Sequence, residues 1–118
     1  MIIEETLHPM PQDACIRHYF TKNHVFFDIE TTGFSSRQNF IYLIGTAIRV
    51  EETIRIIQFL ADNRQEESAI LAAFEGRTAS YDTRITYNGV GFDIPFLRAR
   101  EVLYGLDGGI DCFSCMDL

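Results

Sequence analysis

The sequence predicts an α/β fold, a mixed sheet of three antiparallel strands followed by β-α-β units, with flanking helices. Three observations carry this. Two runs rich in β-branched and aromatic residues, Phe40–Val50 and Thr53–Leu60, are separated only by Glu51-Glu52, and so short a polar turn joins antiparallel neighbours. Two segments of helical period, 65–74 and 94–104, are each followed by a short apolar run, the alternation that produces parallel crossovers. The 118 residues, 47% hydrophobic and 23% charged, suit one globular domain with a modest core.

Residues 1–22 are weakly patterned, and Pro9 and Pro11 interrupt any helix. They are expected to form an N-terminal leader with a short helix around Ala14–Phe20, ahead of a domain over 23–118. His24–Glu30 is the first strand, because His24-Val25-Phe26-Phe27 is nearly all apolar. Phe40–Val50 and Thr53–Leu60 are the second and third. Gln65–Phe74 is a helix with Ile70, Leu71 and Phe74 on one face and Gly76 placed to end it. Arg84–Tyr87 is a short strand leading into Asn88-Gly89. Ile94–Tyr104 is the second helix, with Asp93 near its N-cap and Pro95 in the first turn, where proline is tolerated. Phe96, Leu97, Ala99 and Leu103 form its apolar stripe, Gly105, Gly108 and Gly109 end it, and Ile110–Phe113 is the last strand.

A net charge of −7 argues against a broad basic surface for nucleic acid. Carboxylates that hold cations are neutralised in the loaded protein, however, and a protein that grips a few nucleotides through metals needs fewer Lys and Arg. No apolar run reaches the roughly 18 residues of a membrane span. Met1-Ile2-Ile3-Glu4-Glu5 lacks the basic start and apolar core of a signal peptide, so the cytoplasm is the expected compartment and no membrane partner is expected. Cys112 and Cys115 are spaced CxxC, and Cys15 and His18 share that spacing. Together they define an alternative reading, a small zinc-binding interaction module; the opposing reading has Cys112 packing as a small apolar residue.

Asp28-Ile29-Glu30-Thr31-Thr32-Gly33 carries the chemistry. Residues i and i+2 of a strand share a face, so Asp28 and Glu30 project side by side. Like charges held that close repel unless a cation lies between them, and a hard ion with oxygen ligands, Mg²⁺ or Mn²⁺, suits carboxylates. Asp93 follows the glycines of Tyr87-Asn88-Gly89-Val90-Gly91-Phe92 at a helix start. In open α/β sheets, sites form where strand ends meet helix N-termini. If the strand before Asp93 lies beside the first strand, Asp93 faces Asp28 and Glu30.

Phe27–Gly33, taken with Asn88-Gly89, Phe92-Asp93-Ile94-Pro95-Phe96-Leu97 and Ile41–Gly45, resembles the motifs of the DEDD 3′–5′ exonucleases of the ribonuclease H-like superfamily. The chain is similar in particular to the YprB-type ribonuclease H-like domain, over roughly residues 24–115. The resemblance implies a ribonuclease H-like sheet and two-metal hydrolysis of phosphodiester bonds, with two Mg²⁺ or Mn²⁺ ions about 4 Å apart. It implies Asp28, Glu30 and Asp93 as catalytic metal ligands, with Asp28 bridging. The implied substrate is single-stranded DNA or RNA with a free 3′ end. Backbone groups near Thr31 and Thr32 would meet the terminal nucleotide, Phe34 would pack on a base, and Asn88 would hydrogen-bond near the site. The residues alone also admit Asn88-Gly89 as a turn pair and Phe34 as a core aromatic.

The family carries a fourth Asp and a His or Tyr on a later helix, and this sequence reaches Asp117-Leu118 before such a helix. Asp111, Asp117, Tyr104, His8, His18 and His24 do not match that motif. The expectation is therefore a domain incomplete at its C-terminus, with exposed apolar sheet surface that finds a partner, a homodimer being the expected form. A catalytically impaired ribonuclease H-like nucleic-acid-binding fragment is the competing function.

Overall fold

A computed structural model describes residues 1–86 and 91–106 in full and the backbone of 114–117. The elements run β1 (Ile2–Pro9), α1 (Ala14–Tyr19), β2 (His24–Thr31), β3 (Ile41–Val50), β4 (Thr53–Leu60), α2 (Glu67–Thr78), β5 (Thr83–Thr86), α3 (Asp93–Leu103) and β6 (Ser114–Asp117), with a single 3₁₀ turn at Arg64–Glu66 leading into α2. The strands form one sheet in the order β1-β4-β3-β2-β5-β6. From β1 to β2 every neighbour is antiparallel, while β2, β5 and β6 run parallel. The fold is thus α/β with a mixed sheet, and β2 is the seam between its two halves.

Alternation along β2 sets the layers. Val25, Phe27 and Ile29 are buried, while Asp28 and Glu30 are exposed on the opposite face. The buried face joins Ile44 and Ile48 of β3, Ile57 and Phe59 of β4, Ile70, Leu71 and Phe74 of α2, and Ile94, Phe96 and Leu97 of α3. Phe74 meets Phe27 and Phe59 at ring-centroid distances of 5.6 and 6.2 Å. Each such side chain contributes about 1.5–3 kcal/mol on burial. On the other face α1 covers one corner, with Phe20 against Phe26 at 4.7 Å.

Several expectations differ from the structure. The weakly patterned leader contains β1, which pairs with the whole of β4 from Ile2↔Leu60 to Pro9↔Thr53. All eight of its residues are exposed. An edge strand that buries neither face has no alternation to display; its partner strand sets its register. Gly76 does not end α2, which continues to Thr78; a glycine stops a helix only by turning left-handed, and Gly76 does not. Leu103 is 63% exposed, whereas Arg100 and Glu101 are buried on α3. The expected strand over 110–113, Asn88 and Cys112 lie outside the described residues, as do the side chains of Cys115 and Asp117. The helix after β5 does end as expected. Gly105 takes φ +67°, the Gly105 N–H donates to Val102 O, and the Leu106 N–H donates to Glu101 O, which satisfies two terminal carbonyls.

Candidate active site

Three carboxylates meet where β2 runs on beyond β5. Among the described residues, pairing between the two strands ends at Phe26↔Ile85, short of Asp28 and Glu30. There the Ile29 N–H donates to Asp93 Oδ2 at 3.2 Å. Asp93 is the first residue of α3, yet no side chain caps that helix. Its carboxylate is spent on the strand instead, between the positions of Asp28 and Glu30. The β-α-β connection from β5 to β6 places the start of α3 there.

Electrostatics records the crowding. Burial and the Asp28 carboxyl, with the Glu30 charge beyond it, push Asp93 up to about 6, against the stabilising Ile29 N–H. Three oxygen-donor side chains gathered at one strand end, with Asp28 and Glu30 both raising the proton affinity of Asp93, suit a hard divalent cation. Asp28, Glu30 and Asp93 are therefore the residues that would hold it. Among the described residues no three acidic, His or Cys side chains close into a finished ion cage. Asp28 and Glu30 stand exposed, and Asp93 alone is buried.

The segment after β2 is built tightly. The pairing shifts between Glu30 and Thr31, where Glu30↔Leu43 is followed by Thr31↔Ile41, a bulge that leaves Tyr42 unmatched on β3. The Thr31 hydroxyl donates to Gly33 O at 2.7 Å. Thr32 accepts from the Phe40 N–H through Oγ1 and donates its own N–H to Phe40 O, each at 3.1 Å. Both threonine hydroxyls thus serve the loop. A Cβ at Gly33 would lie 2.5 Å from Asn39 Oδ1, so any larger residue would displace the side chain that accepts from the Ser35 N–H. Phe34 is 92% exposed, which corrects the reading of it as core. Its ring stands edge-on to Phe92 at 6.3 Å, and Phe92 precedes Asp93. An aromatic pair therefore flanks the carboxylates. On the exposed face of the sheet, an open trough of about 450 Å³ lined by Phe26, Ala47, Ile56 and Gln58 runs up to Asp28.

A family model of the RNase_H superfamily matches residues 25–118. The chain belongs to the RNase_H superfamily. The uncharacterized protein YprB of Bacillus subtilis is 34% identical over 86 residues, which is 72% of this chain and 21% of that protein. The chain thus spans about a fifth of the length of that relative. The family B DNA polymerase of the archaeon Pyrobaculum calidifontis shares the fold, with a TM-score of 0.53 at 20% identity over 74% of this chain and 12% of the polymerase. The RNase_H-type domain accordingly has a nuclease-type fold.

Two features of this RNase_H-superfamily site escape the sequence. Phe92 adjoins an acidic residue just as Phe27 adjoins Asp28, a signal visible in the chain but easily assigned to the core. Arg100 lies two turns after Asp93 on the same side of α3, and its burial is not legible because arginine is ordinarily exposed. Among the described residues no helix is long and apolar enough to cross a membrane.

Proposed function

We propose that the chain is a metal-dependent 3′–5′ exonuclease domain that hydrolyses phosphodiester bonds of single-stranded DNA or RNA. The observation that carries this reading is the bond from the Ile29 N–H to Asp93, which draws a third carboxylate to the Asp28–Glu30 strand end. Divalent ions, Mg²⁺ or Mn²⁺, would supply an activated water and stabilise charge on the leaving oxygen. Asp28, Glu30 and Asp93 hold them, and Ile29 fixes the direction of Asp93. The Thr31–Gly33 backbone borders the terminal nucleotide, and Phe34 offers an exposed ring to a base, since every base has a face for stacking.

The test is Mn²⁺-dependent degradation of a 3′-labelled single strand, with Asp28→Ala and Asp93→Asn beside the wild type. Loss of a charge-stabilising group at a reaction centre lowers the rate by about a hundredfold or more, and that loss is expected in both variants. Undiminished activity in either sinks the assignment. A catalytically impaired nucleic-acid-binding domain is favoured by one observation, the unclosed cage of carboxylates among the described residues. Its signature is Mn²⁺-dependent binding of the strand with no shortening.

A further inference from the structure

Glu67 and Arg100 form a buried ion pair separate from the three carboxylates. Arg100 Nε donates to Glu67 Oε2 at 2.9 Å, and Nη2 donates to Oε1 at 2.5 Å. The same carboxylate accepts from the Ile41 N–H at 2.7 Å and from the Tyr104 hydroxyl at 2.5 Å. The remaining arm of the guanidinium, Nη1, donates to Ser36 O at 3.0 Å. One carboxylate and one guanidinium thus join four pieces of chain, the start of α2, the middle and end of α3, the start of β3 and the loop that leaves β2.

Two of those pieces carry the site. Asp93 and Arg100 stand two turns apart on one side of α3, about 10 Å along the axis, so fixing Arg100 fixes the height and rotation at which Asp93 meets Ile29. Ser36 lies in the loop that presents Phe34 and begins directly after Glu30 and Thr31. Buried ion pairs rarely add stability over an apolar replacement of equal volume, and their best-attested use is to fix one arrangement. A bidentate fork with every oxygen engaged is a specifier of that kind.

We propose that the Glu67–Arg100 pair is a positioning device that sets α3, and with it Asp93, against the β2 strand end and its loop, and so determines the affinity of the site for divalent ions. This rests on the reading of Asp28, Glu30 and Asp93 as metal ligands. Glu67 and Arg100 touch no ligand; they act through Asp93 and Ser36.

The experiment is calorimetric titration of the protein with Mn²⁺ alone, for the wild type, Arg100→Lys, the double variant Glu67→Gln with Arg100→Met, and Ile70→Ala as a control. The double variant keeps an acceptor for the Ile41 N–H, fills the arginine's volume and cuts the tie to Ser36. Arg100→Lys keeps the charge and loses the fork. Ile70→Ala opens the core beside α2 without touching the network. Outer-sphere changes at metal sites weaken metal binding by about 10–100-fold. A loss in that range is expected for the double variant and a smaller one for Arg100→Lys, while Ile70→Ala binds like the wild type at a temperature where near-UV circular dichroism shows it folded. Wild-type affinity in a folded Arg100→Lys overturns the proposal, as does an equal loss in Ile70→Ala. The lysine variant decides the matter even if the double variant does not fold. Absence of Mn²⁺ binding by the wild type is a separate result, which removes the metal-site reading and this proposal with it.

Discussion

An aspartate in the first turn of a helix ordinarily serves that helix, whereas Asp93 bonds to the Ile29 N–H of a strand 64 positions away. The arrangement has a cost in stability. The carboxyl's folded value, about 6, lies above its ordinary 3.8, so ionising it at neutral pH is harder in the folded protein than in the unfolded chain. Asp93→Asn keeps an acceptor for Ile29 and removes the charge. It is expected to raise stability at neutral pH by about 1–3 kcal/mol in urea denaturation while abolishing Mn²⁺ binding. A destabilised Asn variant would sink this account of the site. Phe34 gives the complementary case. With its ring almost wholly exposed, Phe34→Ala is expected to leave the melting temperature unchanged. It should weaken single-strand binding by about 1–3 kcal/mol, the worth of one stacked base, as read by fluorescence anisotropy with Mn²⁺ present.

At the scale of elements, the helices show where local preference and tertiary demand part. In α2 a Cβ at Gly76 would meet nothing within 4 Å, and no left-handed turn requires the glycine. Gly76→Ala is expected to stabilise by about 0.5–1 kcal/mol, read as a shift of the urea midpoint. The hairpin between β3 and β4 asks the opposite of its turn residue. Glu51 sits at φ 57°, where side chains other than Asn and Gly are strained. Glu51→Asn is expected to stabilise by about 0.5–1 kcal/mol.

Between α2 and α3 lies a second buried charge cluster. Arg84 Nη2 donates to Glu75 Oε2 at 2.5 Å, and the guanidinium carbon Cζ lies 4.9 Å from the Phe74 ring centroid. Glu101 faces Glu75, and among the described residues its carboxylate oxygens have no other hydrogen-bond partner. Two facing carboxyls can bond only if they share a proton. Burial and Glu75 accordingly push Glu101 up to about 9, against the pull of Arg84 and Arg98. The ordinary value is 4.5, so between these limits the folded state holds a proton that the unfolded chain has released. This group's contribution is full below the lower limit and is lost as pH rises through the upper one. Wild-type stability is expected to fall from pH 6 to pH 9 more steeply than that of Glu101→Gln. Parallel slopes in urea titrations of the two would disprove the shared proton.

Across the molecule, the sequence discloses those parts of the fold whose physics is local. The hairpin is visible because Glu51-Glu52 leaves no room for any other connection, and β2 because its apolar run ends in carboxylates. The face of α2 is visible because Ile70, Leu71 and Phe74 repeat at helical spacing. β1 stays hidden because an edge strand takes its order from β4, and Leu103 misleads because the buried stripe of α3 is completed by Arg100 and Glu101. Their charges become buriable only through partners on other elements, and no local pattern announces a partner. The site divides in the same way. Asp28 and Glu30 are a local signal, the approach of Asp93 follows from β-α-β topology, and the Glu67–Arg100 tie is wholly tertiary.

The position of β2 at the seam of the sheet has one more consequence. Asp28 and Glu30 belong to the antiparallel meander that ends with β4, and Asp93 belongs to the segment that begins with α2. Neither stretch of chain holds the three carboxylates alone. If the three carboxylates hold an ion as proposed, the site is complete only once both stretches have assembled. If the chain is cut in the Ala61–Asn63 connection, each fragment is expected to ignore Mn²⁺, and mixing the two should restore binding only to the extent that β5 docks beside β2. An ion seen by the protein is then a report that two independently encoded halves have met in register.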